Sequence, residues 1–426
     1  MTGPAVAAPP GVLPRLLPAG LASGPVSLAQ HVARYGPPPG RPDRRLADLM
    51  AEVERSGLTG RGGAGFPAAR KLAAVRLNAA RAGTAVVVAN GTEGEPASAK
   101  DQVLLACSPH LVLDGAAIAA GLVGAGEAVI VVPRSVRDVV AEAVAERTAA
   151  GIRELVRWRL VTAAEGFVAG EASAVVHWIA RGVAKPTGTP PRLAERGLHG
   201  APTLVHNVET LAHLALIARY GADWFRSAGT AREPGSMLVT VLGAVRDPRV
   251  LEIAIGTPVS EVLDLAGGPS RPLRALLLGG YSGSWADAAA ACDRPFSAAG
   301  LADLGADVGA GLIAALPEDA CGLAETARVV RYLAGESAGQ CGPCRFGLDA
   351  IAGAVEQLAD GRTADTGLLD RWLGQIAGRG ACGHPDGAVR LVRSALAEFT
   401  DERDRHASGW CCGRASVLPV PARRSR

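Results

Sequence analysis

The sequence predicts an α/β chain in three parts: a mostly parallel sheet flanked by helices, a small β-grasp module, and an all-helical C-terminal bundle. Three observations predict it. Short β-branched runs alternate with helical ones between Asp43 and Tyr220, the pattern of a parallel α/β sheet. A ββαβ order follows Arg232-Glu233-Pro234-Gly235. From about Glu318 only helical runs remain, joined by short connections.

Taken in order, residues 1–42 are rich in Pro and Gly and read as a loosely packed arm. The α/β domain is placed at 43–230. Its first helix runs from Asp43 to about Arg55 and stops at Gly57, and a glycine cluster and a second helix through Lys71 follow. Strands are expected at 85–89, 128–132 and 158–162, with helices at 109–123, 135–150 and 208–220 and a Pro/Gly-rich connection over 185–202. The β-grasp domain, 231–317, has strands at 237–242, 250–255 and 275–278. Thr257-Pro258 opens its helix and Gly267-Gly268 closes it. Helices at 324–335, 344–358, 366–377 and 386–400 form a four-helix domain at 318–405, and 406–426 is a flexible tail.

At 426 residues with 48% hydrophobic but only 4% aromatic content, the cores must be built from Ala, Val and Leu. The net charge of +3 is scattered, and the one basic run, residues 422–426, is too short to argue for nucleic-acid binding. Met1-Thr2-Gly3-Pro4-Ala5 lacks the basic-then-apolar pattern of a secretory signal. No window reaches ~18 uninterrupted apolar residues, so no membrane insertion is expected and the chain reads as cytoplasmic.

Three segments carry chemistry. Gly60-Arg61-Gly62-Gly63-Ala64-Gly65-Phe66-Pro67 satisfies G-x-G-x-x-G, but a helix precedes it rather than a strand, so the ordinary dinucleotide reading fails. Its glycines still let backbone N–H groups approach a phosphate at a helix N-terminus, with Arg61 and Lys71 nearby. Asn90-Gly91-Thr92-Glu93-Gly94-Glu95-Pro96 leaves the first strand at its carboxyl end, where ligands of open α/β sheets sit. Asn90 suits a flavin or nucleobase edge, and Glu93 and Glu95 suit ribose hydroxyls or a carboxamide. Of eight cysteines, Cys341, Cys344 and Cys382 cluster at helix junctions and suit a metal or redox centre, whereas Cys107, Cys292 and Cys321 read as small buried hydrophobes. Cys341-Gly342-Pro343-Cys344 also spells a thioredoxin-type pair, but that reading needs a preceding strand and a helix stands there.

In order, these segments, with Pro109-His110, Gly170-Glu171, Gly200-Ala201-Pro202-Thr203, Asn207-Val208-Glu209-Thr210 and Glu336-Ser337, resemble the flavoprotein subunit (F chain) of respiratory NADH:quinone oxidoreductase. The related diaphorase subunits of hydrogenases and formate dehydrogenases belong to the same family. The likeness covers roughly 43–402. It implies a Rossmann-like FMN domain, a β-grasp domain of the soluble-ligand-binding kind, and a helical domain with a [4Fe–4S] cluster. NADH or NADPH would reduce FMN, and single electrons would leave through the cluster to a ferredoxin-like protein, a thioredoxin-like [2Fe–2S] subunit or a membrane reductase, at the periphery of a membrane complex. The FMN ligands implied are Arg61, Gly62, Gly63, Lys71, Asn90, Glu93, Gly170, Glu171 and Asn207. The nicotinamide would lie near Phe66 and Glu95, with Glu95 and Lys71 as the catalytic pair and Cys341, Cys344 and Cys382 as metal ligands.

The chain departs from the family pattern in the nucleotide and cluster sites. Ala74 and Arg192 stand where aromatic stacking partners are expected, each loss worth ~1 kcal/mol. Ala172 replaces a carboxylate that would meet the adenosine ribose; with Arg192 as a partner for a 2′-phosphate, this opens the site to NADPH. Thr92 replaces an acidic residue beside the flavin. Ala338 stands where the first of four cluster cysteines belongs, and a methyl group cannot ligate iron. A three-iron cluster, a four-iron cluster with water or a substitute ligand such as His384 or Cys411-Cys412, another metal such as zinc, and no metal all stay open. The competing functional reading is an electron-transfer or assembly subunit that keeps the flavin fold without oxidising nicotinamide.

Overall fold

The computed structural model describes residues 13–18, 24–38, 46–152, 154, 156–188, 191–362, 365–410 and 416–421. Four parallel strands, β1 (Val86–Asn90), β2 (Glu127–Val132), β3 (Arg157–Thr162) and β4 (Thr203–Asn207), form a sheet in the order β3-β2-β1-β4. Alternation along β1 sends Val87 and Ala89 into the core shared with helix Pro109–Val123, and Val86 and Val88 into the core shared with helix Ala172–Arg181. A parallel sheet must be covered on both faces, and these helices cover it.

The second sheet is mixed: β5 (Ser236–Gly243), β6 (Arg249–Ala254), β7 (Leu273–Leu278), β8 (Ser284–Asp287) and β9 (Leu312–Pro317), in the order β6-β5-β9-β7-β8. β9 pairs parallel to β5 and antiparallel to β7, which closes a β-grasp around helix Val259–Leu265. Leu276 and Leu278 face that helix's core, while Ala275 and Leu277 face the C-terminal helices. Those helices are Gly322–Gly335, Leu348–Ala359, Thr366–Ile376 and His384–Glu398, with a short fifth, Thr400–Ala407.

The expected strands and helices appear within a few residues of their predicted limits; helix Pro109–Val123 coincides with its prediction. Helices Leu28–Tyr35, Lys100–Cys107 and Ala172–Arg181 and strands β4, β8 and β9 were not predicted. β9, Leu-Ile-Ala-Ala-Leu-Pro, is buried along its whole length and so carries no alternation to read.

Two packing expectations are corrected. The described part of the N-terminal arm is not loose: Arg15 is 2% exposed and its guanidinium donates to the Trp224 and Phe225 carbonyls and to Ser227. The half-buried Glu252 accepts the N–H groups of Arg15, Leu16 and Leu17, so the segment is fastened by charge-assisted bonds the Pro/Gly content hides. In the C-terminal tail, Leu418 is buried and Glu325 accepts the N–H groups of Val417 and Leu418. Cys411-Cys412 and residues 422–426 lie outside the described residues. Among the described residues no single helix is long and apolar enough to cross a membrane.

Candidate functional site

β1 and β4 end side by side, with Asn90 paired in register to Asn207, and the glycine loop comes up beside them. The loop is pinned at its base by a Thr59–Pro67 bridge and by the Gly60 N–H bonding to the Phe66 carbonyl at 2.9 Å. Gly63 and Gly65 hold φ of +98° and +58°, which side chains resist. A Cβ on Gly62 would stand 3.4 Å from that of Asn207. The loop then enters helix Ala68–Ala82, whose first turn has no side-chain cap. Lys71, on that turn, donates to the Val205 carbonyl at 2.6 Å; burial lowers its pKa, with Glu171 opposing the shift.

The carboxylate loop meets the segment at 166–171. Asn90 donates to the Gly170 carbonyl at 2.9 Å and accepts from the Thr92 N–H at 3.0 Å. Gly94 lies so close to this segment that a Cβ would sit 2.3 Å from the Phe167 carbonyl oxygen. Glu93 turns back to accept from Ser98 and from the N–H groups of Asp101 and Gln102, capping helix Lys100–Cys107. Glu171 caps helix Ala172–Arg181 by accepting from Ser173 and Ala174. Asn207 caps helix Val208–Arg226 and donates to Asp101 at 2.6 Å. Thr92 Oγ1 and His206 Nε2 are buried without hydrogen-bond partners. Burial, then the charge of Lys71, lowers the pKa of His206 to about 3, so its ring stays neutral.

Three predicted site residues make contacts the sequence did not show. The Arg61 guanidinium is not free for a phosphate: it donates to Thr59 and to the carbonyls of Pro234 and Ser236, because burial forces a cation to find acceptors. Phe66 is 49% exposed, with Arg70 over its ring at 5.8 Å. Glu95 reaches the second sheet's loop, accepting from the Tyr281 N–H at 2.7 Å.

Burial raises the Glu95 pKa to about 7, against the opposing amides of Tyr281 and Ala97 and aided by Glu93. A folded pKa above the unfolded 4.5 means this group stabilises the fold fully at low pH and loses that contribution as pH rises toward 7. Glu95→Gln should therefore gain stability over the parent between about pH 5 and pH 8, by on the order of 2 kcal/mol, since solvent reaches part of the side chain and screens it. Urea unfolding across that range checks this; parallel curves for the two proteins would refute it.

The cysteines stand against the same cradle. Cys344 is buried in a π-turn at Pro343–Gly347, while Cys341 and Cys382 are half-buried. Burial raises the Cys341 pKa, but the amides of Ala381 and Cys344 and the Cys344 thiol more than offset it, for a net lowering. Burial raises Cys344, opposed by Ser337, whose hydroxyl bonds to it. Cys382 is raised by burial, opposed by the His384 N–H and reinforced by Glu171 of the cradle and by Cys341. Glu336 accepts from the Phe167 N–H at 2.7 Å and so ties the cysteine segment to the 166–171 segment. His384 Nε2 donates to the Leu333 carbonyl at 2.8 Å, and its ring lies 5.4 Å from that of Phe167. Among the described residues, no three His, Cys, Asp or Glu side chains converge on a single-ion site, so mononuclear zinc finds no ready-made cage.

Family models match along the chain: the Nuo51 FMN-binding domain over 53–216, an SLBB domain over 238–280, and the NADH-ubiquinone oxidoreductase-F iron-sulfur binding region over 324–406. The NADH-quinone oxidoreductase F subunit of Streptomyces coelicolor is 32% identical over 381 residues, 86% of this chain and 84% of the relative. The chain belongs to the NADH-quinone oxidoreductase F subunit family. A second relative, one of two F subunits of Rhizobium meliloti, is 30% identical over 86% of this chain and 90% of its own length. Among solved structures, the NAD+-reducing [NiFe]-hydrogenase in its H2-reduced state superposes with a TM-score of 0.78 at 30% identity, covering 85% of this chain. This chain spans 63% of that hydrogenase chain.

The geometry fits the groups named by these family regions. A glycine loop on an uncapped helix end suits a phosphate, and the unpartnered Thr92 hydroxyl suits a polar ring edge. Three neighbouring thiols suit iron and sulfide. His206, Phe167 and Tyr281 escaped the sequence reading. Only His206 had a signal, the short run Thr-Leu-Val-His-Asn of β4; the other two are placed by contacts between domains.

Proposed function

We propose that this chain is an FMN- and iron–sulfur-dependent NAD(P)H dehydrogenase module that delivers single electrons to a partner protein. One observation carries the reading: the Glu336 carboxylate joins the cysteine segment to the same 166–171 segment that Asn90 holds against the cradle. Electron transfer between a flavin and a cluster needs the two held close together, and this bond holds their two segments to each other.

FMN, when bound, accepts a hydride from the nicotinamide and gives up its electrons one at a time. Gly62, Gly63 and the first turn of helix Ala68–Ala82 would hold its phosphate through backbone N–H groups, with Arg61 stiffening the loop from beneath. Lys71 would supply the positive charge, and Asn90, Glu93, Gly170, Glu171 and Asn207 would fix the remaining walls. Glu95 and Phe66 would border the nicotinamide. Cys341, Cys344 and Cys382 would hold the cluster, with Ala338 leaving it one protein thiolate short. The electron acceptor would be a ferredoxin-like protein, a thioredoxin-like [2Fe–2S] subunit or a membrane reductase.

Anaerobic purification followed by flavin and iron–sulfur spectra, then addition of NADH or NADPH, tests the reading. Bleaching of the flavin is expected; bound flavin that neither nucleotide bleaches would overturn it in favour of a carrier. The missing carboxylate at Ala172, at the start of its helix, supports use of NADPH as well as NADH. Ala172→Glu should raise the KM for NADPH about tenfold relative to NADH, as a carboxylate near a 2′-phosphate costs about 1–2 kcal/mol at an open edge. An unchanged ratio would remove Ala172 from the specificity argument.

A further inference from the structure

Ala338 does more than subtract a ligand; it determines which corner of the site is open. Ala338 is half-buried, its chain neighbours Gly339, Gln340 and Gly342 are exposed, and Cys344 is only 4% exposed. Apart from His384 Nδ1, the nearby protein donors are committed elsewhere. Ser337 Oγ accepts the Gly339 N–H at 3.1 Å while its hydroxyl bonds to Cys344. Glu336 holds Phe167, Glu171 caps its helix, and Asp386 accepts the Gly378 N–H at 2.6 Å. His384 Nδ1 is buried and without a hydrogen-bond partner, and its ring is fixed by Leu333 and packed on Phe167.

We propose that this chain builds a site-differentiated cluster: Cys341, Cys344 and Cys382 hold three irons, and a fourth, exchangeable iron faces solvent at Ala338 and takes its outer ligand, an oxygen donor, from solution. The inference rests on the cluster reading above. A one-electron oxidant removes an electron from the [4Fe–4S]2+ core. The iron–sulfide bonds to the unanchored iron then break, it leaves as Fe2+, and a [3Fe–4S]+ core remains on its three thiolates, so charge, iron and sulfide balance. Reductant and Fe2+ reverse the step.

The test uses the full chain, purified anaerobically and assayed for FMN, iron and sulfide. One equivalent of ferricyanide should release one iron per cluster to a chelator and produce the EPR signal of an oxidised three-iron cluster. Dithionite with 57Fe2+ should then place one labelled iron per cluster, read by Mössbauer spectroscopy. Ala338→Cys should release iron about tenfold more slowly or not at all, while Ser337→Ala and His384→Gln behave as the parent. Iron retained equally by the parent and Ala338→Cys would overturn the proposal. So would a parent that holds its iron while Ser337→Ala or His384→Gln lets it go, since a protein ligand would then close the corner. A parent with FMN but neither iron nor sulfide would instead fail the cluster reading on which the proposal rests.

Discussion

Lys100→Met should destabilise the chain by about 3–5 kcal/mol, a large share of the ~5–15 kcal/mol typical of a folded protein. Lys100 is 4% exposed, and its ammonium lies 2.7 Å from Asp101 and 2.8 Å from Glu209. Burial opposes its charge, but the two carboxylates outweigh burial and raise its pKa, so it stays protonated. Glu209 is raised by burial but lowered further by Lys100, His213 and Arg61, to about 2. Its second oxygen accepts the Leu238 N–H at 2.9 Å, so the group also locks the first sheet's helix to the second sheet. Removing the cation leaves two carboxylates in a dry interior with one partner fewer. Urea unfolding measures the loss, and a Lys100→Met/Glu209→Gln double variant should recover part of it, because the two residues act as one unit. A single-variant loss below about 1 kcal/mol would show that the network is not what holds this junction.

Gly94→Ala should weaken FMN binding at least about tenfold while leaving the fold intact, since overpacking one contact costs about 1–3 kcal/mol and each 1.4 kcal/mol is tenfold. The added Cβ would meet the Phe167 carbonyl oxygen at 2.3 Å and its carbon at 3.1 Å, and both belong to backbone that cannot rotate away. The 166–171 segment must then retreat, carrying Gly170 away from Asn90 and Glu171 away from Lys71. The same movement strains the Glu336 bond to Phe167, so slower electron transfer to the cluster should accompany flavin loss. Fluorescence of released flavin, with circular dichroism to verify the fold, checks the result. A variant that holds FMN as tightly as the parent would show that this close approach is not part of the cradle.

Much of the architecture was legible because its signals are local. Helix Pro109–Val123 announces itself through a proline at its first turn and a terminal glycine, observed at φ +73°. β1 and β2 read directly from their valine runs. β9 did not, because a strand buried on both faces looks like any short apolar run, and its place between β5 and β7 is set by pairing with segments 35 or more positions away. Arg15 in the Pro/Gly-rich arm was equally opaque: its partners Trp224, Phe225 and Ser227 lie more than 200 positions along the chain.

By itself the sequence determined the order of the three parts, the glycine and carboxylate loops, and the identity of the cysteines; the thiol missing at Ala338 shows only against the family's pattern. These depend on residue type and spacing, which the chain states outright. Only the tertiary structure decided which way the charged side chains turn. It sent the Arg61 guanidinium inward to carbonyls, Glu95 across to Tyr281, and Glu336 to Phe167. A charged group in a closing interior goes to whichever partner satisfies it, and that partner is fixed by packing between distant segments. The exposure of Gly339, Gln340 and Gly342 beside Ala338 is decided in the same way, by what packs against them once the chain has folded.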